Sequence, residues 1–263
     1  MKVPAEYKIK LTGQYLGNYL LQEKIWQGAT STVYRAQASE TAPFGRTVAV
    51  KVLHPYRNSA LQRRQFFWEA SLMKRLRHPN IVRVYSSGRQ QSLFFFFMEF
   101  VNGRSLRQYL AERTLTLKQC LFFVGELAKA LNYIHGLGIV HRDLKPENIL
   151  ISNDLTQVKL IDFGYAGYIS PRWWQTQLLS GGTEPYLAPE VSRGERGDHR
   201  ADIFSFGVII RELLLPRMET GQEALEAVVQ QATHPLPWKR YSTAGHLLIA
   251  CYRVFQPTDS ISP

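Results

Sequence analysis

The chain has 263 residues, of which 45% are hydrophobic and 20% are charged, and its formal net charge is +11. This composition is enough to bury a large core in one or two globular units, and the chain contains no repeat or low-complexity stretch. The apolar run over residues 93–98 is far shorter than the roughly 20 residues needed to cross a bilayer, so no membrane span is expected.

The remaining bulk features predict a cytoplasmic protein. The N-terminal sequence MKVPAEYKIKLTG lacks an apolar core of signal-peptide length, which argues against a secretory leader. Cys120 and Cys251 lie in segments rich in Leu, Phe and Ile, so we expect packed, reduced thiols. Lys and Arg look spread along the chain and not gathered in one aromatic-interleaved block, so no nucleic-acid partner is expected.

The first predicted elements are two strands, residues 19–25 and 32–38, joined by a turn. An ordinary hairpin is the simplest interpretation of this segment alone. A β-rich run over residues 47–52 follows, in which Lys51 interrupts apolar residues. A solvent-facing lysine on a half-buried strand would be the commoner outcome there.

The next segment changes the interpretation of Lys51. Within residues 59–77, Phe66, Glu69, Met73 and Leu76 recur at helical spacing, so Glu69 falls on the apolar stripe of a helix. An unpaired buried charge is costly, and Lys51 is the natural partner for this carboxylate.

Two longer apolar segments come next in the chain. Residues 93–101, with the sequence LFFFFMEFV, indicate a buried strand that runs into a connector. Residues 116–137 have helix-like apolar spacing and end beside Gly136 and Gly138, which are typical of helix termination.

Two polar motifs follow this helix. Residues 141–148 read HRDLKPEN, and the tripeptide DFG begins at Asp162, 14 residues after Asn148. Phosphoryl transfer from ATP needs a carboxylate to orient the acceptor hydroxyl, oxygen ligands for magnesium and a cation that spreads charge. Asp143, Lys145, Asn148 and Asp162 are of these types. A single loop Asp is usually a turn former or helix cap, but four such groups in two motifs favour catalysis.

With these motifs the chain resembles the eukaryotic-type (Hanks-type) protein kinases over about residues 19–257. Lys145 within HRDLKPEN is similar to the serine/threonine-specific members. The resemblance implies an α+β, two-lobed fold in one kinase domain spanning residues 1–263. The N-lobe, residues 1–98, would hold a small antiparallel sheet and one main helix. A hinge at 99–102 would lead to a larger, mainly helical C-lobe at 103–263, shortened at its C-terminal end.

The resemblance also implies ATP and Mg²⁺ as cofactors. Asp143 would accept or orient the proton of the substrate hydroxyl, and Lys145 would contact the γ-phosphate. Asn148 and Asp162 would supply oxygen ligands to magnesium. The pair formed by Lys51 and Glu69 would position the α and β phosphates.

In the same template the first hairpin is the glycine-rich lid over the phosphates. The usual G-x-G-x-x-G appears here as Trp26, Gly28 and Ser31, and a Trp at the first position is expected to crowd the approach to phosphate. Met98 would be the gatekeeper, and backbone groups of Glu99 and Val101 would bond the adenine edge. The residues that would sandwich the adenine ring are Ile25, Val33, Ala49 and Leu150.

Residues 162–190 correspond to an activation segment that ends at Ala188, Pro189 and Glu190. Its serine and threonine residues are Ser170, Thr176, Ser180 and Thr183. The resemblance makes Arg142 a partner for a phosphate on this segment, with Thr176 or Ser180 as regulatory sites. Thr183 would bind Asp143 and Lys145. Trp173 and Trp174 are interpreted either as buried residues or as an exposed contact for a partner.

Toward the C-terminus the resemblance thins. Asp202, at the start of a predicted helix ending near Leu215, resembles the aspartate that holds the catalytic-loop backbone, although an acidic residue near a helix N-terminus is stabilising in any fold. Residues 223–231 and 243–255 predict two more helices. The template places an arginine near Ser260 to pair with Glu190, and none is present there. Glu190 is therefore expected to pair with another basic residue, to lie exposed, or to depend on a protein partner that completes the C-lobe.

The sequence thus predicts a serine/threonine protein kinase that transfers the γ-phosphate of ATP to protein hydroxyls and is regulated by activation-segment phosphorylation. The alternative is a pseudokinase or scaffold that binds nucleotide weakly and acts through protein contacts, supported by Trp26, the missing arginine and the short C-lobe. Small-molecule phosphotransfer is a third class, but Thr183 and the segment ending at Glu190 favour a peptide hydroxyl.

Overall fold

The computed structural model describes residues 11–39, 42–55, 59–169, 184–195 and 197–256. The chain divides into two compact units. The first comprises Met1–Arg77 and Val82–Asn102, and the second comprises His78–Ile81 and Gly103–Pro263.

The first unit is built on a six-stranded antiparallel sheet in the order β1-β2-β3-β4-β6-β5. Its strands are β1 (Tyr15–Leu16), β2 (Tyr19–Gln27), β3 (Ser31–Ala38), β4 (Thr47–Leu53), β5 (Val84–Gln90) and β6 (Leu93–Glu99). Val, Tyr and Phe dominate these segments and pack well on a pleated surface. The core on one face of the sheet contains Tyr19, Tyr34, Val50, Phe95 and Phe97, all buried.

A side chain links the two edge strands of this sheet. The Gly17 N–H, in the turn after β1, donates to Gln90 Oε1 at 2.9 Å, and Gln90 Nε2 donates to the Tyr15 carbonyl at 3.0 Å. Gln90 therefore satisfies backbone groups that an open sheet edge would otherwise present to solvent.

One main helix, α1 (Ala60–Arg75), packs against the sheet of the first unit. Ser59 caps its N-terminus, and Gln62 completes a capping box by bonding back to the Ser59 N–H. Its buried face includes Phe66, Glu69 and Met73, as the helical spacing predicts. The Phe66 and Phe96 rings lie 5.0 Å apart, which fixes α1 on strand β6.

The second unit is mainly helical, as predicted. Its helices are α2 (Leu106–Glu112), α3 (Leu117–Gly136), α4 (Pro189–Ser192), α5 (Arg200–Leu214), α6 (Gln222–Ala232) and α7 (Ala244–Val254). Two small sheets accompany them, β10-β9-β7 and β11-β8. Their strands are β7 (Gly103–Ser105), β8 (Ile139–Val140), β9 (Ile149–Ser152), β10 (Val158–Leu160) and β11 (Gly167–Tyr168). The described helices do not include one with the length and apolar character needed to cross a membrane.

The segment after α1 belongs to the second unit, although the sequence assigned it to the N-lobe. Ile81 forms a parallel bridge with Leu160, and the Leu160 N–H donates to the Asn80 carbonyl at 2.8 Å. The Asn80 side chain donates to Glu126 at 2.9 Å. These bonds attach residues 78–81 to α3 and β10.

Of the three alternatives left open for Glu190, pairing with another basic residue is the one found, and Arg240 is that residue. A short 3₁₀ helix, Pro237–Lys239, leads directly into Arg240, whose side chain is fully buried. Its Nη1 and Nη2 donate to the two carboxylate oxygens of Glu190, both at 2.7 Å. Arg240 comes earlier in the sequence than the template position near Ser260, because only a short segment links α6 to the 3₁₀ helix.

Both cysteines are free and buried, as predicted. Burial raises the pKa of Cys120 to about 11 and that of Cys251 to about 12. Neither thiol is therefore ionised near neutral pH, and neither is suited to act as a nucleophile.

Candidate active site

In the first unit, Lys51 and Glu69 form the predicted ion pair. Lys51 lies on β4, a strand that is buried almost throughout, and its Nζ is 2.6 Å from Glu69 Oε1. The Nζ also lies 5.7 Å from the centre of the Phe96 ring. Both charged side chains are buried, and each reduces the cost of burying the other.

The hairpin formed by β2 and β3 carries the remnants of the glycine-rich sequence. Gly28 follows β2, and its N–H donates to the Ser31 carbonyl at 2.9 Å. The Trp26 ring lies over Gly28 so closely that a Cβ at residue 28 would come within 2.1 Å of it. Trp26 therefore covers the one glycine that remains of this motif, and the predicted crowding of a phosphate stays a prediction. Ser31, at the third position, is buried.

The predicted adenine-binding residues of the first unit lie on adjacent strands. In the ladder between β4 and β6, Ala49 is opposite Met98, and in that between β3 and β4, Val33 is opposite Lys51. Val33 and Ala49 are buried, whereas 44% of Ile25 is exposed. The Glu99 N–H donates to the Arg83 carbonyl at 2.8 Å. This N–H is therefore engaged, and a contact of the Glu99 backbone with a ligand would have to use its carbonyl.

The other two predicted adenine-binding residues, Val101 and Leu150, lie in different units. Val101 is half-buried and lies just after β6 at the end of the first unit. Leu150 lies on β9 of the second unit, opposite Lys159 of β10. Their predicted contacts with adenine remain predictions.

In the second unit, Asp202 organises the loop that carries the catalytic motif. This fully buried carboxylate accepts the backbone N–H groups of His141 at 2.8 Å and Arg142 at 2.9 Å. It also bonds His135 Nε2 at 2.9 Å. Burial alone would raise the pKa of Asp202, but the hydrogen bond and charge of His135, the charge of His141 and the His141 N–H together hold it below its ordinary value.

The loop held by Asp202 brings Asp143, Lys145 and Asn148 together. Lys145 Nζ is 2.8 Å from Asp143 Oδ2. Asn148 Nδ2 donates to the Asp143 carbonyl at 2.8 Å and to Asp143 Oδ2 at 3.0 Å. The 3₁₀ helix Pro146–Asn148, with proline at its start, sets the backbone for this arrangement.

The DFG motif is bonded to this loop through the backbone. The Ile161 N–H donates to the Asn148 carbonyl at 2.9 Å, and the buried Phe163 ring lies 4.8 Å from the His141 ring. Asp162 has φ of 60°, a left-handed conformation that costs a non-glycine residue free energy. Its Oδ1 accepts the Gly164 N–H at 3.2 Å. Arg142 has a similar φ of 67°.

The donor atoms presented here fit magnesium. Both hydrogens of the Asn148 amide point to Asp143, so the amide oxygen is the atom that can coordinate a cation. Asp162 contributes a carboxylate. Amide and carboxylate oxygens are the hard ligands that Mg²⁺ prefers.

Most of the predicted regulatory residues fall outside the part of the chain that the structure describes. These residues are Ser170, Thr176, Ser180 and Thr183, together with Trp173 and Trp174. Arg142 is described and buried, and its Nη2 donates to the Tyr168 carbonyl at 3.5 Å. Burial lowers its pKa to about 10, while the charge of Asp202 opposes this shift, so the guanidinium stays charged near neutral pH.

A network of ion pairs and hydrogen bonds beside the catalytic loop was not predicted from the sequence. Arg107 on α2 pairs with Glu147 at 2.8 Å and with Glu212 at 3.2 Å, and it also donates to the Tyr186 hydroxyl. The Tyr186 hydroxyl donates to Glu212 at 2.5 Å. Burial and Glu212 raise the pKa of Tyr186, so the hydroxyl stays protonated. The only sequence signal was Glu147, which lies within the HRDLKPEN motif.

Comparison with known proteins gives a consistent result. A family described as protein kinase domain matches residues 19–248. Over 225 residues the chain is 37% identical to a probable serine/threonine-protein kinase, pknA2, of Bifidobacterium longum, covering 83% of this chain and 29% of that protein. It is 36% identical over 253 residues to the serine/threonine-protein kinase PknL of Mycobacterium tuberculosis, covering 92% of this chain and 61% of that protein.

Solved structures support the same fold. The crystal structure of the Mycobacterium tuberculosis PknI kinase domain superimposes with a TM-score of 0.72 at 25% sequence identity. The match covers 94% of this chain and all of that one. The chain spans about a third of the length of several curated relatives.

Proposed function

The chain belongs to the protein kinase family and has its two-lobed fold, and on that basis we propose that it transfers the γ-phosphate of ATP to serine or threonine hydroxyls of proteins. The observation that carries the proposal is the bonded group of Asp143, Lys145 and Asn148 on a loop held by Asp202. The carboxylate of Asp143 is oriented by two neighbouring side chains, and its loop is fixed by hydrogen bonds. Such a carboxylate is suited to orient the acceptor hydroxyl, a role that needs precise placement.

The second unit supplies the chemistry of transfer. Asp143 would orient the acceptor hydroxyl and take its proton, because its carboxylate is held by Lys145 and Asn148. Lys145 would place positive charge beside the transferred phosphoryl group. Asn148 and Asp162 would hold Mg²⁺. Magnesium, when bound with ATP, neutralises phosphate charge.

The first unit supplies the phosphate-binding cation. Lys51 would bind the α and β phosphates, and Glu69, at 2.6 Å, would fix the direction of its side chain. Trp26 over Gly28 limits the access of a phosphate to the backbone of the hairpin. We expect a weaker contact from this hairpin than from a lid with three glycines.

The scaffold alternative has lost part of its support. Each group that the chemistry needs is present, and Arg240 supplies the arginine whose absence had favoured a scaffold. A partner that completes the C-lobe is therefore no longer required to pair Glu190. Regulation through Thr176, Ser180 and Arg142, a partner at Trp173 and Trp174, and a cytoplasmic location remain predictions.

The experiment compares phosphate transfer to a generic basic protein with binding of MgATP. In Asp143→Asn, we expect transfer to fall by about 10²-fold or more while nucleotide binding remains. In Lys51→Met, both should fall. Lys129→Met is the matched control, because Lys129 is exposed and pairs with Glu126 on the surface of α3, and it should behave as wild type.

Two results would contradict the proposal. One is a folded wild-type protein that binds MgATP and transfers no phosphate. The other is wild-type transfer by Asp143→Asn, since that would place the acceptor-orienting group elsewhere.

A further inference from the structure

Arg35 lies on the same face of the six-stranded sheet as Lys51. In the ladder between β3 and β4, Arg35 is directly opposite Ala49, and Val33 is opposite Lys51. Opposed residues of antiparallel strands point to the same face, and residues two apart on one strand share that face. Tyr34, between Val33 and Arg35, points instead into the buried core on the other face. Arg35 therefore shares a face with Val33 and Ala49, two of the predicted adenine-binding residues.

The row of opposed residues that contains Arg35 crosses four strands. Glu23 on β2 is opposite Arg35 on β3, which is opposite Ala49 on β4. Ala49 is in turn opposite Met98 on β6. Because Ala49 carries only a methyl group, the row is shallow between the long side chains of Arg35 and Met98. Arg35 thus borders the part of the sheet where adenine is predicted to lie, on the side away from the predicted gatekeeper.

Two contacts orient the Arg35 side chain. Its Nη1 donates to Glu23 Oε1 at 3.3 Å, and its guanidinium carbon lies 5.4 Å from the centre of the Phe100 ring. This distance is within the roughly 6 Å over which an aromatic face attracts a guanidinium. The buried Nε of Arg35 has no hydrogen-bond partner among the described residues. The carboxylate of Glu23 and the ring of Phe100 are therefore the groups that hold the guanidinium in place.

Phe100 places this contact on the connector that leaves the sheet. Strand β6 ends at Glu99, and Phe100 stands between Glu99 and Val101, whose backbone groups are predicted to bond the adenine edge. Because the Glu99 N–H already donates to the Arg83 carbonyl, the predicted contacts fall to the Glu99 carbonyl and the Val101 N–H. These two groups belong to the two peptide bonds that flank the Phe100 Cα. A contact that fixes Phe100 therefore fixes the orientation of both groups.

We propose that Arg35 is a positioning residue for the adenine end of the nucleotide. Stacked on Phe100 and paired with Glu23, it ties the connector after β6 to the hairpin of β2 and β3. It thereby holds the Glu99 carbonyl and the Val101 N–H in the orientation that adenine needs. The inference rests on the proposed function, since it requires that adenine binds at this connector.

The test measures the binding of adenosine and of MgATP to Arg35→Met by isothermal titration calorimetry. Methionine keeps an apolar stem but has no charge to stack on Phe100. We expect the Kd of both ligands to rise by the same factor, about three- to tenfold, because the lost contact acts on the adenine end that they share. Lys51→Met should weaken MgATP binding far more than adenosine binding, because Lys51 acts on the phosphates.

Further variants assign the effect to the contact between Arg35 and Phe100. Phe100→Leu should weaken binding as Arg35→Met does, and the double variant should bind no more weakly than either single variant, because both changes remove one contact. Arg35→Lys keeps the charge and should recover part of the affinity. Arg89→Met is the matched control and should bind both ligands as wild type does, because Arg89 lies 5.4 Å from the Phe94 ring centre, away from the connector. Thermal unfolding verifies that each variant is folded.

Wild-type affinity of Arg35→Met for adenosine would overturn the proposal, as would a loss confined to MgATP, an equal loss in Arg89→Met, or no adenosine binding by wild type. In phosphate transfer by Arg35→Met, the KM for ATP should rise while kcat stays within about twofold of wild type. Adenosine binding is measured without phosphate transfer. A wild-type protein that binds adenosine and transfers no phosphate would therefore contradict the proposed function and not the role of Arg35.

Discussion

At the scale of single residues, the ion pair of Arg240 and Glu190 is almost completely buried. The two side chains are 0% and 3% exposed, and the guanidinium makes two parallel bonds of 2.7 Å. Arg240 also donates to the carbonyls of Arg200 and His234. Removing one partner would leave a charge buried without compensation.

We therefore predict that Arg240→Ala lowers the free energy of unfolding by about 3–5 kcal/mol, measured by urea denaturation. The control is Arg193→Ala, because Arg193 and Glu195 pair with 53% of each side chain exposed. That variant should change stability by less than about 1 kcal/mol. Similar losses in the two variants would contradict this account of Glu190. Arg240→Met combined with Glu190→Leu should recover part of the loss.

Asp202 makes stability dependent on acid pH. Its pKa in the folded protein lies below its value in the unfolded chain. Such a group contributes stability that is present above the unfolded pKa and is lost as pH falls through the folded pKa. The loss attributable to Asp202 thus begins near pH 4 and continues below it.

For Asp202→Asn we predict lower stability at pH 7, because an amide cannot accept both loop N–H groups with two oxygens. The further loss of stability between pH 5 and pH 3 should be smaller than in wild type. Urea denaturation at a series of pH values measures both effects. Glu219→Gln, at an exposed position, should keep the wild-type dependence. An unchanged acid slope in Asp202→Asn would contradict the assignment.

The sequence predicted some residue contacts and missed others for a physical reason. Glu69 on an apolar helical stripe required a cation, so Lys51 could be inferred as its partner. Arg107 and Glu212 are both partly exposed and lie far apart in the chain. A charge that water can solvate does not imply an oppositely charged partner, so neither residue pointed to the other. Only the fold shows that they meet at Tyr186.

At the scale of elements, the helices predicted within residues 59–77 and 116–137 begin close to where they were expected, whereas α2 (Leu106–Glu112) was not predicted. Ser59, Ser105 and Thr116 each precede a glutamine three residues later, and each pair forms a capping box. The helix expected at residues 116–137 is found as Leu117–Gly136. Short strands such as β7 and β11 were not predicted, because two or three residues carry no periodic signal.

The close approach of β7 to β9 gives a prediction at this scale. A Cβ at Gly103 would lie 2.0 Å from the Ile151 carbonyl oxygen, which is backbone and cannot swing aside. We expect Gly103→Ala to separate β7 from β9 and to cost about 1–3 kcal/mol of unfolding free energy in urea denaturation.

Gly136→Ala is the matched control for this substitution. A Cβ at residue 136, in the last turn of α3, meets nothing within 4 Å, and alanine favours a helix more than glycine does. This variant should be neutral or slightly more stable. A destabilisation of Gly103→Ala no larger than that of Gly136→Ala would show that β7 can move at little cost.

At the scale of the whole molecule, the fold class and the order of motifs followed from the sequence, because the HRDLKPEN and DFG motifs occupy short, contiguous stretches. The placement of Arg240 did not, since its pairing with Glu190 joins residues 50 positions apart through an irregular segment.

The proposed activity of the chain is transfer of the γ-phosphate of ATP to a serine or threonine hydroxyl. It is tested by incubating purified protein and a generic basic substrate with MgATP labelled at either the γ or the α position, followed by acid hydrolysis and separation of the phosphoamino acids. We expect label only from the γ position, recovered as phosphoserine or phosphothreonine, and no label with Asp143→Asn. Label recovered from the α position, or no label from a folded protein that binds MgATP, would overturn the proposed activity.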